Sequence, residues 1–288
     1  MSQNRQKHLL KRLLNITVVF RYIGESVGII SQGARFRDKW LLFLYYLKIP
    51  AVIFKSLATG KQLRQLEEES KFLRGNVTLK NRYGAFYCGN NILTVYVAAR
   101  DYEKHLHAHI DIPDGIFIDV GAHIGKYSIK VARNPKVKVI ALEPEKFNFS
   151  LLKKNVALNG LSNIFPINKG AYSATGKIPF YISGPGEGMH SVIPQEDAWK
   201  EASIEVETLD NIVNRLPVRE PIRLIKIDTE GAESEVLKGA EKILQTHHPK
   251  IVVEIWKNSA SSLSFVQEHL QRFNYSCIPL DEENYLFS

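Results

Sequence analysis

Two hydrophobic periodicities divide this chain. Over residues 5–74 apolar side chains recur at three- and four-residue spacing, as at Leu9, Leu13, Leu14 and Val18, which predicts helix. The longest apolar run there, Trp40 to Phe54, holds Lys48 and Pro50 and is too short for a confident membrane span, which takes about 20 apolar residues. From about Asn76 the period shortens. Val77–Lys80, Ala85–Cys88 and Leu93–Val97 predict short strands separated by turns at Gly84 and Gly89-Asn90-Asn91.

Strands then alternate with helices. The predicted strands are Ile116–Val120, Lys138–Leu142, Ile164–Asn168, Leu224–Asp228 and Ile251–Ile255, and the predicted helices are Lys126–Arg133, Phe149–Leu158, Ser234–Gln245 and Leu263–Phe273. Ile178–Ile182 and Ile204–Val206 form a paired insertion, and Tyr275–Pro279 and Asn284–Phe287 close the chain as short strands. This alternation predicts an α/β fold with a doubly wound, mostly parallel sheet. The domain boundary falls at 74/75: a basic helical segment over 1–74 and an α/β domain over 75–288.

Charge follows that division. The 288 residues carry 38 Lys/Arg and 30 Asp/Glu, a net +8; residues 1–74 hold 14 against 5, and residues 75–288 hold 24 against 25. A uniformly basic nucleic-acid-binding domain is disfavoured, and the α/β part has no basic track for RNA. Two readings of 1–74 stand: a buried helix covering the main domain, or an amphipathic anchor on an anionic membrane surface, with Arg35, Arg37, Lys39, Lys48, Lys55 and Lys61 around the apolar run. Two cysteines, Cys88 and Cys277, without metal-ligand spacing, and no secretory signal in the first residues, place the protein in the cytoplasm, with the inner membrane face as the peripheral variant.

The candidate chemistry lies at the strand ends. The first βα turn reads Asp119-Val120-Gly121-Ala122-His123-Ile124-Gly125, a G-x-x-x-G spacing rather than the G-x-G-x-x-G of a dinucleotide fold, and an acid precedes the first glycine. Glu143 ends the second strand, where a carboxylate accepts bonds from ribose hydroxyls. Acids at both strand ends suit S-adenosyl-L-methionine, cationic at sulfur and carrying a ribose, better than a pyrophosphate.

Phe117–Gly125 (FIDVGAHIG), Ala141–Glu145 (ALEPE), Val206–Asp210 (VETLD) and Lys226–Glu233 (KIDTEGAE) together resemble the FkbM family of S-adenosylmethionine-dependent methyltransferases. The resemblance covers about residues 80–288. It implies a Rossmann-like class I methyltransferase fold with a terminal antiparallel strand, methyl transfer to a hydroxyl oxygen, and cofactor binding by Asp119, Gly121, Ala122, Gly125, Glu143 and Pro144; His123 in the same turn and Asp228 at its strand end are further cofactor-binding candidates. His123 stands where the broader methyltransferase turn often has a glycine; a larger residue is common there in this family.

Strand ends also deliver Asp228, Thr229, Glu230 and Glu254 or Trp256 to the reacting rim. A hydroxyl nucleophile calls for a proton acceptor, and Glu230 and Asp228 lead as catalytic candidates, with His190 next. Glu230 has a second reading as a helix-start carboxylate, and Glu233 reads as a cap rather than a catalyst. Paired carboxylates also admit a divalent metal, which lacks a clear third ligand here. Gly184–Ser191 is a lid or an exposed hairpin tip. His105, His107 and His109 read as a solvated segment before the first core strand, and His247-His248 as a helix C-terminus. The acceptor class is a sugar, glycolipid or other hydroxyl-bearing small molecule. A nicotinamide-dependent oxidoreductase and a non-catalytic membrane-surface binding protein are the alternatives.

Overall fold

The computed structural model describes residues 16–59, 73–182, 200–256 and 262–288. The Gly184–Ser191 segment with His190, and the Glu67–Glu69 run, lie outside the described residues. The chain divides into two compact units, Met1–Tyr102 and Glu103–Ser288.

The first unit holds helices α1 (Ile16–Ser31) and α2 (Phe36–Thr59, with Pro50 inside), a hairpin of β1 (Val77–Asn81) and β2 (Gly84–Gly89), and α3 (Ile92–Ala98). The hairpin, which the periodicity grouped with the α/β part, packs in this unit. The run over 93–97 is a helix, not a strand. Its β-branched residues favour a strand, but the Asn91 side chain accepts from the N–H groups of Leu93 (2.7 Å) and Thr94 (3.2 Å), which starts a helical turn. That turn then buries Thr94, Val95 and Ala98 on one face.

The second unit begins with a short 3₁₀ turn (Lys104–Leu106) and α4 (His107–Ile110). The three alternating histidines lie on this turn and helix. His105 on the 3₁₀ turn pairs with Asp281, and His107 is buried beside the Tyr127 ring rather than solvated. There follow β3 (Gly115–Val120), α5 (Lys126–Ala132), β4 (Val137–Leu142), α6 (Lys146–Leu158), β5 (Ile164–Ile167), β6 (Gly170–Ala171), β7 (Gly176–Ile182) and β8 (Lys200–Glu207). The chain continues with α7 (Leu209–Arg215), β9 (Ile222–Ile227), α8 (Glu233–Lys238), α9 (Glu241–His247), β10 (Lys250–Glu254), α10 (Leu263–Gln271), β11 (Cys277–Pro279) and β12 (Asn284–Phe287).

The main sheet has the order β11-β12-β10-β9-β3-β4-β5. Strands β5, β4, β3, β9 and β10 run parallel, and β12 is antiparallel to both β10 and β11. All six residues of β3 are buried, so both faces of the sheet centre are covered. This is the doubly wound, mostly parallel Rossmann-like sheet that the sequence predicts, with an antiparallel strand between β10 and β11. The insertion β7–β8 pairs antiparallel from Gly176↔Val206 to Ile182↔Lys200 and packs Phe180, Ile204 and Val206 together.

The single helix expected over 234–245 is two. The break is at Gly239, where a β-carbon would stand 2.1 Å from the Tyr172 carbonyl oxygen, and the Gly239 carbonyl accepts from Asp210 N–H at 3.1 Å. Close packing at that glycine ends the first helix. The sheet itself changes winding direction between β3 and β9, because β3 leads to β4 and β5 on one side while β9 and β10 fill the other. Ligands of such sheets bind beyond the carboxyl ends of the strands at that crevice.

Candidate active site

Three strand ends converge there: β3 with Asp119, β4 with Glu143 following it, and β9 followed by Asp228. Backbone bonds tie them together. Gly121 and Ala122 N–H donate to the Leu142 carbonyl (3.0 and 2.9 Å), and Asp228 N–H donates to the Val120 carbonyl (3.0 Å). The turn after β3 needs left-handed backbone at Gly121 (φ 82°), His123 (φ 51°) and Gly125 (φ 86°). Two of those positions are glycines, for which the conformation carries no β-carbon penalty. His123 is the exception. A non-glycine residue held there stores about 1–3 kcal/mol of strain, and such strain clusters at ligand-binding turns.

Its strained backbone gives His123 N–H a partner: the amide donates to Glu143 Oε2 at 2.8 Å, while Glu145 N–H donates to Oε1 at 2.8 Å. Glu143 is buried at 5% exposure, and burial pushes its carboxyl up to about 8 against the two amide donors that pull it down. Each carboxylate oxygen keeps a lone pair beyond the one its amide uses. The Asn168 side chain bonds the Glu143 and Pro144 carbonyls (2.8 and 3.0 Å), which fixes the exit from β4. Asp119 is buried too. Its Oδ2 accepts from Ser128 Oγ in α5 (2.6 Å), its Oδ1 has no hydrogen-bond partner among the described residues, and burial raises its pKa.

After β9 the chain makes a second strained turn, with Glu230 at φ 55° and Gly231 at φ 114°. Glu233, buried at the start of α8, holds that turn: its Oε1 accepts from Thr229 Oγ1 (2.9 Å) and Gly231 N–H (2.8 Å). It braces the turn before α8 rather than capping the helix, whose first N–H groups receive no side-chain cap. Glu230 is half-buried, and burial together with the Asp228 and Glu233 charges pushes it up to about 9. Glu254, at the end of β10, accepts from Trp256 Nε1 (3.0 Å) and is pushed up to about 10 by the charge of Asp228 and by burial.

Lys226 escapes sequence reasoning. It sits in a mostly apolar strand, yet it is 3% exposed, and its Nζ donates to Asp228 Oδ2 at 2.7 Å and lies 5.2 Å from the Tyr127 ring centroid. Tyr127 in turn donates its hydroxyl to Glu103 Oε2 at 2.6 Å. Burial works against the Lys226 ammonium, but Asp228, Glu103, Asp119 and Glu254 outweigh it and hold its pKa above the ordinary lysine value. A lysine at an inward position of a buried strand was the available signal, because such a charge is rarely buried without carboxylate partners.

The predicted residues Asp119, Gly121, Ala122, His123, Gly125, Glu143, Pro144, Asp228 and Glu230 thus lie on three adjoining strand ends; His190 falls outside the described residues. Around them stand the six acids Glu103, Asp119, Glu143, Asp228, Glu230 and Glu254, against two buried lysines, Lys226 and Lys126, whose ammonium groups lie 5.2 and 5.9 Å from the Tyr127 ring centroid. Such a rim repels a pyrophosphate and favours a cation that also presents hydroxyl donors. The residues present therefore fit S-adenosyl-L-methionine. Among the described residues, no group of three or more His, Cys, Asp or Glu side chains is placed to hold a metal ion.

Other motif residues are structural. Glu207 is buried between Lys169 (2.9 Å) and Arg215, Thr208 caps α7, and Asp210 accepts from the N–H groups of Lys242 and Ile243 at the start of α9.

The chain is similar to known methyltransferases. The chain is 27% identical over 206 residues to Methyltransferase sdnD of Sordaria araneosa, covering 61% of this chain and 80% of that protein. It is 32% identical over 145 residues to the hexuronic acid methyltransferase AglP of Haloferax volcanii, covering 49% of this chain and little over half (56%) of that protein. A crystal structure of methyltransferase FkbM from Methylobacillus flagellatus aligns over 94% of this chain and 60% of its own, with 17% identity and a TM-score of 0.45. The model of the methyltransferase FkbM domain matches residues 119–277, from Asp119 near the end of β3 to the first residue of β11. Matched over more than half its length, this chain belongs to the FkbM methyltransferase family.

Proposed function

We propose that the second unit is an S-adenosyl-L-methionine-dependent O-methyltransferase that methylates a hydroxyl of a sugar, a glycolipid or another small molecule. The observation that carries the reading is the Glu143 carboxylate, buried and held by His123 and Glu145 N–H groups with one lone pair left on each oxygen. That geometry suits a pair of vicinal hydroxyls.

The cofactor supplies an electrophilic methyl group on a cationic sulfur. The chain's own residues do the rest. Gly121, Ala122, His123 and Gly125 shape the backbone turn, Asp119 and Pro144 line it, and Glu143 orients the ribose. Asp228, fixed by Lys226, sets the negative side of the rim. Positive charge brought to this rim favours the ionised forms of Glu230 and Glu254. Glu230, on its strained turn, then takes the acceptor's hydroxyl proton, with Asp228 the other candidate and His190 a third. Most of the rate gain comes from holding the acceptor oxygen in line.

A sugar-type acceptor is supported by the likeness to AglP, which is described as a hexuronic acid methyltransferase. The same acidic rim disfavours a nicotinamide dinucleotide. The test is transfer of labelled methyl from S-adenosyl-L-methionine to uronic acids, neutral sugars and glycolipids, with and without a chelator. Transfer to one class identifies the acceptor; transfer to none, with S-adenosylhomocysteine failing to bind, refutes the reading.

A further inference from the structure

Helix α2 in the first unit is apolar on two opposite faces, and the described structure buries only one. Asp38, Leu42 and Tyr45 are 2%, 0% and 5% exposed on the inner face. On the outer face Phe36, Trp40, Phe43 and Leu47 are 82%, 50%, 43% and 64% exposed. At helical spacing these four fall within an arc of about 60° and form one ridge. Pro50 and Ala51, also exposed, continue it, and the Trp40 and Phe43 rings stack at 5.5 Å.

Cations border the ridge on both sides: Arg37, Lys48 and Lys55 along one edge, Arg35 and Lys39 along the other. The helix has a single acid, Asp38, which is buried and accepts from Arg35 N–H at 3.1 Å. The imbalance extends to the whole unit, where residues 1–102 carry 17 Lys/Arg against 6 Asp/Glu and residues 103–288 carry 21 against 24. No helix among the described residues is long and apolar enough to cross a membrane.

We infer that the outer face of α2 is a docking surface for an anionic lipid bilayer. An aromatic-rich ridge enters the boundary between headgroups and acyl chains, and cations on both flanks meet the anionic headgroups. A second copy of this chain is a poorer occupant. Two-fold pairing would set these cations against the same cations of the partner, where like charges repel. The inference stands on the first unit alone and needs no methyl transfer.

The test is co-sedimentation of the full chain with phosphatidylcholine vesicles that contain or lack phosphatidylglycerol. The wild type is expected to bind the anionic vesicles at least about tenfold better than the neutral ones, and less as salt rises. Trp40→Ser/Phe43→Ser/Leu47→Ser and Lys48→Glu/Lys55→Glu should each weaken that binding about tenfold or more, with an unchanged circular dichroism spectrum and thermal midpoint. Failure of the wild type to bind anionic vesicles overturns the inference, as does wild-type binding by the ridge variant. So does a wild-type dimer that the ridge variant abolishes, which would assign the face to a second copy. Because the readout is vesicle binding, its failure leaves the methyltransferase reading intact.

Discussion

The carbonyl oxygen of Asp228 lies 1.8 Å from where a β-carbon on Gly121 would be. The turn after β3 and the end of β9 therefore meet at backbone contact, and the Gly121 backbone is left-handed as well (φ 82°). Two motifs far apart in sequence are locked into one site by that missing side chain. Gly121→Ala should cost about 2–4 kcal/mol from the left-handed backbone and the clash together, lower the thermal midpoint and abolish S-adenosylhomocysteine binding. A variant with the wild-type midpoint and affinity would contradict the contact.

Glu143 links cofactor affinity to pH. Its carboxyl is pushed up to about 8 in the free protein, and hydroxyl donors favour the ionised form. Binding near pH 7 should therefore release a proton, and affinity should rise as pH goes from about 6 to about 8.5. Calorimetry in buffers of different ionisation enthalpy reads the proton directly. Proton uptake, or affinity falling with pH, refutes this assignment.

The acidic rim also sets the stability of the free protein. Glu143, Glu230 and Glu254 all have raised folded values, so the native state binds more protons than the unfolded chain. Stability must then fall as pH rises from about 5 towards about 9. Urea midpoints across that range should show the decline, and Glu254→Gln should flatten it. An equal slope in the variant would show that Glu254 does not titrate as described.

Lys226 should be indispensable to the fold of the rim. Lys226→Met leaves Asp228, which is 26% exposed, without its buried partner and should destabilise by about 3–5 kcal/mol. Adding Asp228→Asn should recover part of that loss, since the two groups act as a pair. Additive losses in the double variant would deny the coupling.

For Glu230, a proton-accepting role predicts a kcat/KM that rises with pH towards about 9, the value of the free enzyme. Glu230→Gln should retain cofactor affinity, lose about 100-fold in turnover and lose that pH dependence. Wild-type turnover in the variant returns Glu230 to a purely structural role at its turn.

Much of this arrangement is legible in the chain. The β3 turn announces itself by an apolar run followed by Gly121 and Gly125, and Glu143 by its place after the next strand. Other features depend on contacts that periodicity does not carry. The Asn91 cap converts a strand-like run into α3, and the Tyr172 carbonyl against Gly239 splits one expected helix in two. Lys226 is hidden in a mostly apolar strand until its carboxylates are assembled around it. The outward ridge of α2 shows a similar limit. Apolar residues fall on both sides of that helix, and only the fold separates the face that packs inward from the face left exposed.

The central claim is that the acids at the ends of β3 and β4 hold S-adenosyl-L-methionine. Titration calorimetry of S-adenosylhomocysteine against the wild type and Glu143→Ala tests it most directly. The account predicts one site in the wild type and affinity at least about tenfold weaker in the variant, with the fold intact by circular dichroism. No binding by the wild type, or equal binding by both proteins, would contradict it.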